Sequence, residues 1–169
     1  MKPTSERIDR RYSEEHAEAV PWADAEARLA AAELAWIVTV RPDGRPHATP
    51  MVPVTYDGKV YFHTARREVK YANLQANPHV LVLVGDTAWD HGLDVAFGGT
   101  VTPVTDDALL RRIVDLLLGR WDGSTWKLEI ENGAVVPRPP DIELVIFEVT
   151  PDKAFGYAKS PAGQTTYSY

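Results

Sequence analysis

The sequence contains no cysteine. That absence removes disulfides, zinc–thiolate sites, iron–sulfur clusters and cysteine nucleophiles together. A disulfide-dependent secreted scaffold is excluded, and a cytoplasmic protein is the default expectation. No stretch approaches the roughly 18 apolar residues of a membrane span, so no membrane partner is expected. The N-terminal segment also lacks the apolar centre of a signal peptide. Seven of its side chains between Glu6 and Glu15 are charged.

Positive charge is scarce. Lys and Arg number 18 against 24 Asp and Glu, for a net charge of −6. Nucleic-acid binders draw most of their affinity from neutralising phosphates. The balance therefore argues against a nucleic-acid partner, while leaving room for a small basic pocket. Two catalytic signatures are missing as well. There is no Gly-x-Ser-x-Gly elbow for a serine nucleophile. No glycine fingerprint follows a strand in the manner that cradles a dinucleotide.

What is present fits a folded protein of ordinary composition. The 169 residues are about one domain's worth. Hydrophobic residues at 44% and charged residues at 25% are typical globular values. The chain divides into an N-terminal arm or helix over residues 1–20 and a single domain over residues 21–169. Pro21 suits the first turn of a helix, and Ala23 to Leu34 has amphipathic spacing. Trp36-Ile37-Val38-Thr39-Val40 is β-branched and aromatic, the mark of a strand. Pro42-Asp43-Gly44 reads as a three-residue hairpin loop. A second strand is expected from Arg45 to Tyr56, a second hairpin turn at Asp57-Gly58, and a third strand from Lys59 to Thr64.

A short helix from Arg66 to Ala76 should stop at Asn77-Pro78. His79 to Val84 and Leu93 to Val104 read as strands, with Gly98-Gly99 marking a bulge or a close backbone approach. Thr105-Asp106-Asp107 caps a helix to about Leu118. Gly119 to Pro140 reads as irregular, and Ile142 to Thr150 as a sixth strand. The tail from Phe155 to Tyr169 reads as an aromatic lid or a frayed end. Six or more strands with short helices predict a mainly β fold with accessory helices, an α+β barrel or sandwich rather than a parallel doubly wound sheet.

The two hairpins can be registered from their loops. The first sets Thr39 opposite His47 and Ile37 opposite Thr49. The second, if the strand runs unbroken, sets Thr49 opposite Arg66 and Met51 opposite Thr64. Side chains alternate along a strand. One face then carries Thr39, His47, Thr49, Thr64 and Arg66, and is polar and partly cationic. Arg66 and Lys70 would share a helical face at i, i+4. Arginines at a helix start oppose the macrodipole, and make sense where an anion sits among the free N–H groups.

These residues carry a resemblance. The run Trp36 to Pro50 resembles the first hairpin of the pyridoxamine 5′-phosphate oxidase-like proteins, the flavin/deazaflavin oxidoreductase superfamily. The match continues through Asp57-Gly58, Tyr61-Phe62-His63-Thr64, Val69-Lys70, Asn73-Leu74, Asn77-Pro78, Thr102-Pro103-Val104 and Phe155-Gly156-Tyr157. It spans about residues 22–160. The resemblance implies a split β-barrel, like that of FMN-binding proteins, that forms a homodimer. It implies coenzyme F420, or alternatively FMN, in a cleft at the dimer interface. His47, Thr49, Pro50 and Met51 would line the ring and ribityl chain. Thr64, Arg66, Arg67 and Lys70 would hold the phosphate. Many relatives have serine where this chain has Glu68. A carboxylate beside a phosphate is unfavourable unless it points away or pairs with Arg67. The tail, with Ala158-Lys159-Ser160, departs from the family's usual Gly-Lys-Gly.

In such a protein the ring performs hydride transfer, and the chain supplies binding and orientation. His47, His63 and Tyr61 are the candidate proton donors. The histidines are never at ligand-pair spacing, and no metal is expected. The resulting expectation is an oxidoreductase that transfers a hydride between bound F420 or FMN and a small organic substrate. The alternatives are a non-catalytic carrier of a flavin-like or pyridoxal-type phosphate, and a dimer that has lost the site. Trp89, Trp121 and Trp126 are candidates for covering the cleft or packing at the dimer seam.

Overall fold

A computed structural model describes residues 2–120, 127–131, 134–138 and 142–169. Three α-helices lie among these residues: α1 (Trp22–Ala31), α2 (Val69–Ala76) and α3 (Asp107–Leu118). The strands are β1 (Ser5–Ile8), β2 (Ala35–Val40), β3 (Pro46–Met51), β4 (Val54–Tyr56), β5 (Lys59–Ala65) and β6 (His79–Val84), followed by β7 (Leu93–Pro103), β8 (Lys127–Glu131), β9 (Ala134–Arg138), β10 (Leu144–Lys159) and β11 (Ala162–Ser168). They form one open, antiparallel 11-stranded sheet whose main path runs β1-β11-β10-β7-β6-β2-β3. The β4–β5 pair and the β8–β9 hairpin branch from β10. The expected mainly β architecture with helical accessories is therefore present.

Turn chemistry fixes the first hairpins as the sequence predicts. Gly44 has φ +82°, and the Arg41 and Arg45 backbones close the loop at 2.9 Å. Asp57 and Gly58 both have positive φ, +49° and +68°, as a two-residue hairpin loop that matches the strand twist requires. The expected strand from Arg45 to Tyr56, however, is broken. It divides at Val52-Pro53, with β3 paired to β2 and β4 paired to β5. Proline has no N–H to give a ladder. Pro46 and Pro50 accordingly sit on the edge strand β3, and Pro53 stands where pairing switches to another branch.

β10 organises the sheet. Its first half pairs with β5 and its second half with β11, while β7 runs along both. The β7–β10 register shifts between Pro151 and Lys153, opposite Gly99 and Gly98. The expected bulge or close approach is found here: a Cβ added to Gly99 would lie 2.3 Å from the Thr150 carbonyl oxygen.

Three expectations change. The tail is neither lid nor frayed end, because β11 is an interior strand between β10 and β1. Its Tyr167 is fully buried and donates to the Val20 carbonyl at 2.8 Å. The N-terminal arm contributes a strand, β1, rather than a helix. The stretch read as irregular holds the β8–β9 hairpin. The sequence signal was present in the alternation Lys127-Leu128-Glu129-Ile130-Glu131.

Apolar burial falls into two clusters. The sheet interior packs Ile37, Phe62, Val82, Phe97 and Phe147, with Trp22 and Leu29 of α1 laid over it. Trp22 meets Phe97, Tyr167 and Tyr169 ring to ring. The second cluster lies under α3, where Leu110, Ile113, Val114 and Leu117 pack on Val54, Tyr61 and Ile146. Asp106 starts that helix as read, accepting from the Leu109 N–H at 2.8 Å. No helix of the described residues is long and apolar enough to cross a membrane.

Gly99→Ala is expected to lower stability by roughly 1–3 kcal/mol, because the added methyl meets backbone that cannot rotate away. Thermal melting checks this, and an unchanged midpoint would contradict the packing described for β7 and β10.

Candidate functional site

The β2–β3 hairpin places Thr39 opposite His47 and Ile37 opposite Thr49, as its loop predicts. The second predicted register does not form. β5 pairs with β4 and β10, so Thr64 stands opposite Val145 rather than Met51. The residues grouped from sequence are instead brought together by α2, which packs against both β2 and β5.

The attachment of α2 is polar. Asn73, only 2% exposed, donates its side-chain amide to the Thr39 hydroxyl at 2.9 Å. The Thr39 hydroxyl in turn donates to the His47 carbonyl at 3.3 Å. Lys70 lies one helical turn before Asn73 and is 7% exposed. A buried ammonium needs a counter-charge, and Glu68 supplies it through Oε2. The other oxygen, Oε1, accepts the Ala65 N–H at 3.0 Å.

This arrangement corrects the expected helix start. α2 begins at Val69 with Glu68 at its N-cap, so Arg66 and Arg67 lie outside it and Arg66 shares no helical face with Lys70. A carboxylate is the charge that a helix start favours. Glu68 also pairs with Lys70 rather than Arg67. Arg66 is exposed, donating to Glu143 at 2.6 Å and to the Tyr71 hydroxyl at 2.6 Å. Arg67 is exposed too.

The other expected site residues divide by face. His47 and Thr49 are half-buried, and the His47 Nδ1 and Thr49 Oγ1 atoms are buried without a hydrogen-bond partner. Met51 follows on the same face, inside the apolar interior. Pro50 points the opposite way, beside the exposed Trp36. Thr64 is fully buried next to Ala65. Asn73 appeared in the sequence only as part of a motif, and its latching role had no local signal.

Charge in the site follows from burial. Burial, then the Arg41 and Lys70 charges, hold the His47 imidazole below its usual pKa. Burial, then Lys70, does the same to His63, with Glu68 acting in opposition. Both rings are therefore neutral near pH 7. Burial works to raise the Glu68 pKa, but the Lys70 ammonium and Ala65 N–H outweigh it and hold the carboxyl below the usual range. Tyr61, the third expected proton donor, is raised by burial and by its bond to Glu148, which Lys59 also holds. Elsewhere, Lys159 of the tail clasps the Asp86 and Ala88 carbonyls at 2.8 and 2.6 Å and pairs with Asp94. Trp89 is 93% exposed, while Trp121 and Trp126 lie outside the described residues.

The donor set suits a polar, anionic ligand. Two orphaned buried polar atoms sit on β3, and an ammonium lies on the adjoining helix. The family profile of pyridoxamine 5′-phosphate oxidase matches residues 22–156. The chain belongs to that family. No curated protein matches it. Among solved structures, it is similar to a conserved hypothetical protein of Mycobacterium tuberculosis, with TM-score 0.67, 19% identity, and 84% and 87% of the two chains covered. It is also similar to a pyridoxamine 5′-phosphate oxidase-related, FMN binding protein of Nostoc punctiforme, with TM-score 0.62, 20% identity, and 90% and 93% covered. A structure described as an F420 reductase aligns with TM-score 0.55 and 27% identity, over 76% and 94% of the two chains.

Glu68 gives this site a pH signature. Its folded pKa is depressed, so it stabilises the fold above the ordinary carboxylate range and stops doing so as pH falls through the lowered value. The melting-temperature gap between the natural protein and Glu68→Gln is expected to be wide at pH 7 and to close once pH drops well under about 4.3. A gap that stays constant across that range would contradict the ion pair with Lys70.

Proposed function

We propose that this protein is an oxidoreductase that binds coenzyme F420, with FMN as the alternative cofactor, and transfers a hydride between it and a small organic substrate. The reading is carried by one observation: a buried Lys70 ammonium whose charge reaches His47, with the His47 Nδ1 and Thr49 Oγ1 atoms buried and unpartnered among the described residues. Membership of a family that includes oxidoreductases supports it, as does similarity to an F420 reductase. The cofactor ring supplies the redox chemistry when bound. The chain's own contribution is to bind and orient. Neutral His47 and the Thr49 hydroxyl offer hydrogen bonds to polar ring or ribityl atoms. Lys70, on the helix that the Asn73 latch holds against β2, offers positive charge and donors to a phosphate. Thr64 lies at the end of β5 beside that cradle.

The proposed fold-level reading is a split β-barrel that works as a homodimer. Its support is an apolar row across five strands on the face away from the site. Pro50, Trp36, Leu83, Ala96 and Phe155 stand side by side in register. Trp36 is 53% exposed in the single chain. Trp36 and Pro50 are exposed and Leu83 and Phe155 half-buried, an apolar strip of the kind that a second copy would cover.

Titration of the purified protein with F420 and with FMN, followed by fluorescence, tests the cofactor reading. Lys70→Met is expected to weaken both by at least about tenfold, the typical loss when a charged hydrogen bond to phosphate is removed. Unchanged affinity would remove Lys70 from the site, and binding of neither cofactor would overturn the reading. Light scattering on Trp36→Glu tests assembly. The natural protein is expected as a dimer and the variant as a monomer, and a monomeric natural protein would refute the interface.

A further inference from the structure

We infer that Glu68 tunes the charge selectivity of the phosphate cradle, weakening its hold on a doubly charged phosphomonoester more than its hold on a singly charged phosphodiester. The inference rests on the cofactor reading above. It adds to that reading a residue that shifts the balance between the two cofactor classes.

The donors around Lys70 are already held by carboxylates. The Ala65 N–H is taken by Glu68 Oε1 at 3.0 Å. Lys70 Nζ is taken by Glu68 Oε2. The Arg66 guanidinium is turned to Glu143 and Tyr71, both at 2.6 Å. Three cations in this segment, Arg66, Arg67 and Lys70, thus stand with two carboxylates, Glu68 and Glu143. Among the described residues, Arg67 is the one cation of the three without a carboxylate partner. The local balance is a single positive charge. Glu68 is the nearest anion to Lys70, and it is anchored at two points, so it does not swing clear without giving up the Ala65 N–H.

Ligand chemistry then decides. A phosphomonoester, as in FMN, carries about −1.5 to −2 at pH 7, because its second pKa is near 6. A phosphodiester, as in F420, carries a single charge at phosphorus. Coulomb repulsion from one fixed carboxylate scales with the ligand's charge. It acts twice as strongly on the dianion. Lys70 and Arg67 attract the dianion more strongly as well, so Glu68 reduces that preference rather than reversing it. His63 on β5 and His47 on β3 are both held neutral, and Lys70 is already paired.

The test compares the natural protein with Glu68→Gln, which keeps a side-chain oxygen for the Ala65 N–H and removes the charge. FMN affinity is expected to rise about tenfold and F420 affinity about threefold, in keeping with the twofold difference in charge. Equal gains, or a larger gain for F420, would overturn the charge selectivity while leaving the cofactor reading intact. No binding of either cofactor to either protein would overturn the cofactor reading itself.

Discussion

The site depends on a switch of strand partner between Met51 and Val54. β3 belongs to the β2 edge and β4 to the β5 branch, and the two-residue link Val52-Pro53 joins them without a shared ladder among the described residues. α2 packs against both β2 and β5. Its apolar residue Leu74 joins the interior, and its Asn73 amide donates to the Thr39 hydroxyl. Lys70 is buried because α2 is latched there. The same burial strips water from His47 and leaves its Nδ1 without a partner.

A buried ammonium is stable only with a counter-charge or a bound anion. This chain carries its own. Glu68 satisfies Lys70 and the Ala65 N–H at once, and it stands at the helix start, where a carboxylate is favoured. The Lys70–Glu68 pair is therefore electrostatically balanced before any ligand arrives. A phosphate that enters must either share Lys70 with Glu68 or displace it. That competition sets this chain apart from one with a neutral residue at the same position, where a bound anion would be the counter-charge the ammonium requires.

How much of this was legible in the sequence differs between elements for physical reasons. Local chemistry was legible. Gly44, Asp57-Gly58 and Asp106 each fix a turn or cap through their own backbone preferences, and the structure has them as read. Gly98-Gly99 announced the close approach of β7 and β10, although not its partner strand. Non-local pairing was not legible. Nothing near Lys59 to Ala65 says that its partner is residues 144–149, about 80 to 90 positions away. The tail was misread for the same reason: Ala162 to Ser168 is polar and small by composition, and only its place between β10 and β1 makes it a strand. At the site, His47 was grouped from the hairpin register and Lys70 from the cations after the third strand, while their cofactor roles came from the resemblance. The role of Glu68 was half legible, since the conflict with phosphate was evident but its pairing with Lys70 required knowing where α2 begins.

The alternation of β3 also constrains which of the resemblance-derived residues can act together. His47, Thr49 and Met51 point inward with Thr39, Ile37 and Ala35, while Ala48 and Pro50 point outward with Val38 and Trp36. A single ligand on the inner face of one chain can meet His47 and Thr49, yet it cannot meet Pro50. Contact with Pro50 requires something seated on the outer face, where the apolar row through Trp36 lies. The role implied for Pro50 therefore depends on assembly with a second surface. The roles of Lys70 and Glu68 do not, because their partners Asn73, Ala65 and each other all belong to the same chain. A monomeric variant would separate the two sets. It would retain the balanced Lys70–Glu68 cradle, and lose whatever Pro50 contributes from the opposite face.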